Sequence, residues 1–331
     1  MTDLYQRVLE GLEAAPHQWG KCVELLATLQ LQADPTLAPM LSDVALQLTA
    51  PGGTVTVQTL PIATWKIRPF VTLHDGNTVL SFRSSGTTAF DRSQVDLDLY
   101  GRNLYHASLW QGFRKVFDYK DEHIIALMPP PTICPDSSLS EMLNTLGAEF
   151  VCGEGWPQRL LHILKSQRHP IIVFGTAFAW VHYVDAVNGA GVRLPEGSRV
   201  IETGGYKGKS RELPKAELYS ILASLLGLET DAIWSEYGMC ELSSQFYSRG
   251  IGGLLQPSPS IRSIAINPGT GLAEAPGVDG ILVHVDLANW CSYVAVETQD
   301  WGNVSSDGYV TLKGRARTAP PKGCSLDTDT P

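Results

Sequence analysis

The chain has 331 residues, a formal net charge of −9, 44% hydrophobic residues and 18% charged ones. These proportions provide for a sizeable buried core and exclude a disordered chain, and the acidic balance argues against non-specific nucleic-acid binding or docking on anionic membranes. The length fits about two domains, or one large α/β domain with an appendage.

No basic segment followed by an apolar run opens the sequence, and no apolar run reaches about 18 residues, so the expectation is a cytoplasmic protein with no membrane insertion. The six cysteines, Cys22, Cys134, Cys152, Cys240, Cys291 and Cys324, are scattered without a CxxC pair or a histidine at zinc spacing. Disulfides and structural zinc are therefore not expected, and most of these thiols read as small buried hydrophobes.

In chain order, helical periodicity runs over residues 2–14, 17–31 and 38–49, with breaks at Pro16 and Pro35. Val55–Val57 and Thr78–Leu80 read as short strands. A long helix is expected from Val95 to about Tyr119, with Ser93 as its N-cap. Between the second strand and this helix lies Phe82-Arg83-Ser84-Ser85-Gly86-Thr87-Thr88. A glycine among hydroxyls at a strand-to-helix junction suits phosphate, because backbone N–H groups form an anion nest and the hydroxyls add donors. The same residue types also favour ordinary turns.

Beyond that helix, short apolar runs alternate with helical segments. Strands are expected at Ile124–Met128, Glu149–Cys152, Pro170–Phe174, Arg199–Glu202 and Ala232–Ser235. Helices are expected at Ser138–Leu146, Pro157–Ser166, Thr176–Asn188 and Pro214–Leu226. Such alternation implies a mainly parallel sheet covered by helices, with ligands at the carboxyl ends of its strands. The Ser/Thr loop, Gly175-Thr176, Gly204-Gly205 and Tyr237-Gly238 all read as such ends. From about residue 252 the pattern changes to antiparallel strands: Ser260–Ile266, Gly280–Asp286, Tyr293–Thr298 and Tyr309–Leu312, with Asp307-Gly308 as a turn. The expected organisation is an α/β region over 1–251 with a helical segment over about 1–50, a small β-rich subdomain over 252–316, and a tail over 317–331.

Several motifs carry chemistry. Gly204-Gly205-Tyr206-Lys207-Gly208-Lys209-Ser210 is not a P-loop, because Thr203 stands where its first glycine belongs. Paired glycines after a strand instead let a ligand ring approach the backbone. In Glu236-Tyr237-Gly238-Met239-Cys240-Glu241, Glu241 suits Mg²⁺ held beside phosphate oxygens, and Tyr237 suits stacking on a base. Glu297-Thr298-Gln299-Asp300 is read as a strand end whose carboxylate suits ribose hydroxyls, and Arg315, after Gly314, suits phosphate or ribose oxygens. The histidines show no metal-ligand spacing, and His182 on the helix after Gly175 is the one with a possible substrate-facing place.

Taken together these pieces resemble the adenylate-forming superfamily of acyl-CoA ligases, peptide-synthetase adenylation domains and luciferases. Ser84-Ser85-Gly86-Thr87-Thr88 resembles its phosphate loop, Tyr237-Gly238-Met239-Cys240-Glu241 its Tyr-Gly-x-Thr-Glu motif, Thr298-Gln299-Asp300 its Thr-Gly-Asp, and Gly314-Arg315 its Gly-Arg. The likeness spans roughly residues 78–325. Within the superfamily, Phe82 to Thr88, Gly204 to Lys207 and Lys322 to Leu326 are most similar to the acyl-protein synthetase family of bacterial bioluminescence. Four positions depart from the superfamily pattern: Ala89 for glycine, Cys240 for threonine, Gln299 for glycine, and Arg92 in place of a trailing Pro-Lys. The large C-terminal domain that follows in most members is expected to be absent, with the lysine it carries.

The resemblance implies an α/β fold of the N-terminal adenylate-forming type. It implies ATP and Mg²⁺ as cofactors, and a carboxylic acid, of the fatty type, activated to an acyl-adenylate with release of pyrophosphate. By the same resemblance, Cys324 would then become acylated and pass the acyl group to an acceptor protein such as a reductase. Implied roles are phosphate binding for Ser84, Ser85, Gly86, Thr87 and Thr88, and adenine binding for Gly204, Gly205, Tyr237 and Gly238. Asp300 and Arg315 bind ribose, and Glu241 binds the metal. Lys207, Arg92 and Lys322 are candidates for the assisting cation. Two alternatives stand beside this reading: a ligase using coenzyme A or a carrier protein as external thiol, and a nucleotide-binding subunit without catalysis.

Overall fold

The computed structural model describes residues 2–13, 19–50, 53–69, 72–84, 92–204 and 212–316. The chain begins with α1 (Thr2–Glu13), α2 (Trp19–Ala33), the antiparallel pair β1 (Ala45–Ala50) and β2 (Gly53–Gln58), and the short β3 (Leu60–Pro61). A second antiparallel pair, β4 (Leu80–Arg83) and β5 (Gln94–Leu97), precedes α3 (Leu99–Phe117).

Next come β6 (His123–Leu127), α4 (Ser138–Thr145), β7 (Glu149–Phe150), α5 (Trp156–Ser166), β8 (Ile171–Thr176) and α6 (Ala177–Val187). They are followed by β9 (Arg199–Thr203), α7 (Lys215–Leu226), β10 (Ile233–Tyr237) and β11 (Phe246–Arg249). The chain continues with β12 (Gln256–Pro257), β13 (Ile261–Ile266), β14 (Gly280–Asp286), β15 (Ala295–Val304) and β16 (Val310–Arg315).

These elements form two compact units. The first takes the described residues up to Asp118, then Gly238–Phe246 and residues 256–316. Its main sheet runs β13-β14-β15-β16, antiparallel throughout, with β3 added parallel to β15. Trp19, Trp65, Trp290, Tyr293, Phe113 and Phe117 are fully buried there. The fit is tight at Gly112 of α3, where a Cβ would lie 2.1 Å from the Ser258 hydroxyl.

The second unit takes Tyr119–Tyr237 and Tyr247–Leu255. Its strands β10, β9, β8, β6 and β7 lie side by side in that order, all parallel. Ile171 to Gly175 of β8 are buried without alternation, as a strand covered on both faces must be. Ile125, Val173, Val200 and Ile233 from four strands pack with Trp180, Tyr183 and Leu222 of the helices. The expected parallel α/β layer and the smaller antiparallel β part are both present. Among the described residues no helix is long and apolar enough to cross a membrane.

Three local readings are corrected. Residues 38–49 are not a helix: a 3-10 turn over Pro35–Met40 is followed by β1. Leu46 and Leu48 are buried while Ala45 and Gln47 are exposed, a period of two that belongs to a strand. The long helix starts at Leu99 rather than Val95, and its N-cap is Asp98, whose carboxylate accepts from the Gly101 N–H at 2.7 Å. Residues 94–97 instead pair with β4, so the Ser/Thr-rich segment connects two antiparallel strands, not a strand and a helix. Finally, Glu297–Asp300 lies inside the ten-residue β15 and does not end it.

Candidate functional site

The stem of the Ser/Thr-rich segment is fixed by reciprocal bonds. Ser84 donates its N–H to the Ser93 carbonyl at 2.9 Å, and Ser93 donates its N–H to the Ser84 hydroxyl at 2.8 Å. Arg92 donates Nε–H to the Ser84 carbonyl at 2.6 Å. The Ser93 carbonyl also faces the Cys240 thiol at 4.0 Å. Two motifs far apart in sequence therefore meet in the first unit. Ser85, Gly86, Thr87 and Thr88 lie outside the described residues, as do Gly205, Lys207, Lys322 and Cys324.

Glu241, next to Cys240, is 2% exposed, and its Oε1 is buried with no hydrogen-bond partner among the described residues. The backbone that carries it is held from the β14–β15 connection. Asn289 donates from Nδ2 to the Glu241 carbonyl at 3.0 Å and accepts from the Ser243 N–H at 2.9 Å. Asp286 accepts from the N–H groups of Ser243, Ser244 and Ala288 at 2.9, 2.8 and 3.0 Å, and from the Ser244 hydroxyl at 2.7 Å. The hydroxyls of Ser108, Ser244 and Ser260 complete this network. Burial pushes the Asp286 carboxyl up to about 6 against the pull of those donors.

A rigidly carried carboxylate with an orphaned oxygen is a costly arrangement unless something electropositive sits against it. Among the described residues no three His, Cys, Asp or Glu side chains gather as a metal cluster. That donor set fits Mg²⁺, which takes one or two protein carboxylates and fills its sphere with waters and phosphate oxygens.

Asp300 and Arg315 are register partners on β15 and β16, and Arg315 Nε stands 3.9 Å from Asp300 Oδ1. Arg315 donates from Nη2 to Gln299 Oε1 at 2.5 Å, so Gln299 seats the guanidinium. The Asp300 N–H is fixed by the Thr298 hydroxyl at 3.0 Å. A cavity of about 410 Å³ lies against this corner, with Asp43, Asn267, Glu297, Thr298 and Gln299 in its wall.

In the second unit Gly204 directly follows β9, at φ +66°, a backbone conformation that favours glycine. Tyr237 is the last residue of β10. Beneath these ends lie two buried carboxylates. Glu202 faces Lys215 Nζ at 3.5 Å and the hydroxyls of Tyr219 and Ser235 at 3.4 Å each. Glu236 accepts from the Thr203 hydroxyl. Burial, with the nearby Glu202 charge as a lesser cause, raises Glu236 to about 7. Gly175 and Thr176 have packing tasks: a Cβ on Gly175 would meet Trp180 Nε1 at 2.8 Å, and Thr176 caps α6 through the Ala179 N–H at 3.1 Å. His182 is exposed, with its ring 5.4 Å from that of Trp156.

Reasoning from sequence missed Asp286, Asn289 and the true place of Ser93. An Asp-x-x-Asn pair inside a β connection gives no signal of the distant segment it holds, and Ser93 mimicked a helix cap.

No protein-family model and no curated protein sequence matches the chain. Solved structures do. ATP-bound MatB from Rhodopseudomonas palustris is similar at TM-score 0.52 and 15% identity, over 72% of this chain and 48% of that one. The O-succinylbenzoate coenzyme A synthetase MenE from Bacillus subtilis, in complex with AMP, gives 0.51 and 18%, over 74% and 50%. The luciferase-like enzyme of the Zophobas morio mealworm gives 0.52 and 15%, over 75% and 60%. This chain thus has the N-terminal-domain fold of the adenylate-forming enzymes, the fold class that the four motifs imply. It spans about half the length of the first of these structures.

Proposed function

We propose that the chain activates a carboxylic acid with Mg·ATP, and that Cys324 takes the acyl group for delivery to a partner protein. The observation carrying the adenylation step is the Glu241 carboxylate, buried, held by Asn289 through its backbone, and with Oε1 unpartnered among the described residues. The acid's oxygen attacks the α-phosphorus, the acyl-adenylate forms, and pyrophosphate leaves; positioning and charge neutralisation supply most of the rate. Bound Mg²⁺ would neutralise phosphate charge, and Glu241 would hold it. Ser84 to Thr88 would hold the departing phosphates. The adenine role of Gly204, Gly205, Tyr237 and Gly238, the ribose role of Asp300 and Arg315, and the assisting charge of Lys207 or Arg92 belong to the same proposal.

In the second step the Cys324 thiolate attacks the acyl carbonyl, AMP leaves, and a thioester remains. The acid is of the fatty type and the acceptor is a protein such as a reductase. A rival reading, with coenzyme A as the acceptor thiol, is favoured by the likeness to a coenzyme A synthetase. Intact-protein mass spectrometry after incubation with Mg·ATP and a panel of fatty acids separates the two. A hydroxylamine-labile acyl mass gain that disappears in Cys324→Ser supports self-acylation. Acid-dependent pyrophosphate release without any mass gain transfers the second step to an external thiol.

A further inference from the structure

We propose that Glu236 is a positioning residue whose neutral form holds the ends of β9 and β10 in the arrangement that binds the nucleotide, so that nucleotide binding and proton uptake are coupled. This inference rests on the nucleotide-binding part of the reading above. Glu236 is 8% exposed and stands opposite Thr203 in the parallel register of β10 and β9. The Thr203 hydroxyl donates to its carboxyl group. One side-chain bond therefore joins the residue before Gly204 to the residue before Tyr237, the two positions proposed to frame the adenine.

Charge balance at these strand ends calls for a proton. Glu202 and Glu236 are both buried, and one ammonium, that of Lys215, serves them. Lys215 pairs with Glu202, which also accepts from the hydroxyls of Tyr219 and Ser235. Among the described residues Glu236 has no cationic partner; it meets the neutral Thr203 hydroxyl and the like charge of Glu202. An ionised carboxylate in that place is poorly solvated, which is why the group titrates at about 7. Ionised, it draws in water and turns from Glu202, loosening the tie between the strand ends. Neutral, it keeps the Thr203 bond with no charge to solvate. A bound nucleotide needs both ends in place and brings phosphate charge of the carboxylate's own sign. Both effects favour the proton, and by linkage the proton favours the nucleotide by the same factor.

The test is titration calorimetry of the full chain with ATP at saturating Mg²⁺, in two buffers of different ionisation heat and without any acid substrate. At about pH 7.5 wild type is expected to take up a larger fraction of a proton than Glu236→Gln, whose amide has none to exchange. The nucleotide's own titration cancels in that difference. Between about pH 6 and about pH 8.5 the ATP affinity of wild type is expected to fall about tenfold more than that of Glu236→Gln. Glu202→Gln removes the like charge and is expected to move the midpoint of this fall to lower pH. Equal proton counts and parallel pH profiles in wild type and Glu236→Gln, with ATP bound by both, overturn the role of Glu236 and leave the adenylation reading standing. An unmoved midpoint in Glu202→Gln overturns it as well. Failure of wild type to bind Mg·ATP at any pH overturns both the inference and the reading beneath it.

Discussion

Asp286 accepts both the backbone N–H of Ser244, at 2.8 Å, and its hydroxyl, at 2.7 Å. With the Ser243 and Ala288 N–H groups on the same carboxylate, one side chain sets the course of the segment after Glu241. Asp286→Ala would leave these buried donors without an acceptor, and is expected to cost about 3 kcal/mol in urea unfolding. Asp286→Asn keeps an acceptor oxygen and is expected to cost less. It should still weaken Mg·ATP binding, measured by calorimetry, because the Ser243–Ser244 segment after Glu241 loses part of its anchoring.

The α3 helix meets the segment before β13 with no spare room at Gly112. An added Cβ would lie 2.1 Å from Ser258 Oγ and 2.9 Å from Ser258 Cβ, and that hydroxyl is itself committed to the Gln245 carbonyl at 2.7 Å. Gly112→Ala is therefore expected to lower stability by about 1–3 kcal/mol through overpacking. Adding Ser258→Gly should recover part of the loss, which a double-mutant cycle in urea would measure.

Glu236 gives a pH signature. Burial raises its folded pKa to about 7, above the ordinary glutamate value of about 4.5. Between these values the folded state keeps a proton that the unfolded chain has released, so the contribution is present below about 4.5 and is lost as pH rises through about 7. Glu202 faces it with like charge, and Lys215 pairs with Glu202. Glu236→Gln should flatten this slope. Relative to wild type it should gain up to about 3 kcal/mol at pH 8 and little at pH 4.5, read from urea midpoints at the two values.

Much of the fold was legible because its signals are local. Buried parallel strands such as Ile171–Thr176 are short apolar runs, and the Tyr237-Gly238 junction falls at a strand end as expected. The errors arose where two periods compete over few residues. Leu46 and Leu48 sit two apart in a stretch also compatible with a helix, and Gln94–Leu97 is separated from α3 by Asp98 alone. The site was legible as motifs but not as a framework. Glu241 stood out by its neighbours in sequence, whereas Asn289 reaches it across 48 residues, and such contacts depend on tertiary packing that no local pattern encodes.

The central claim is acid activation by ATP, and pyrophosphate exchange tests it most directly. Labelled pyrophosphate is expected to enter ATP only when Mg²⁺ and a fatty acid are both present, and exchange should fall by at least about a hundredfold in Glu241→Gln, the scale on which removing one transition-state electrostatic contact acts. Folded protein that binds ATP yet shows no exchange with any acid across the chain-length panel would contradict the account.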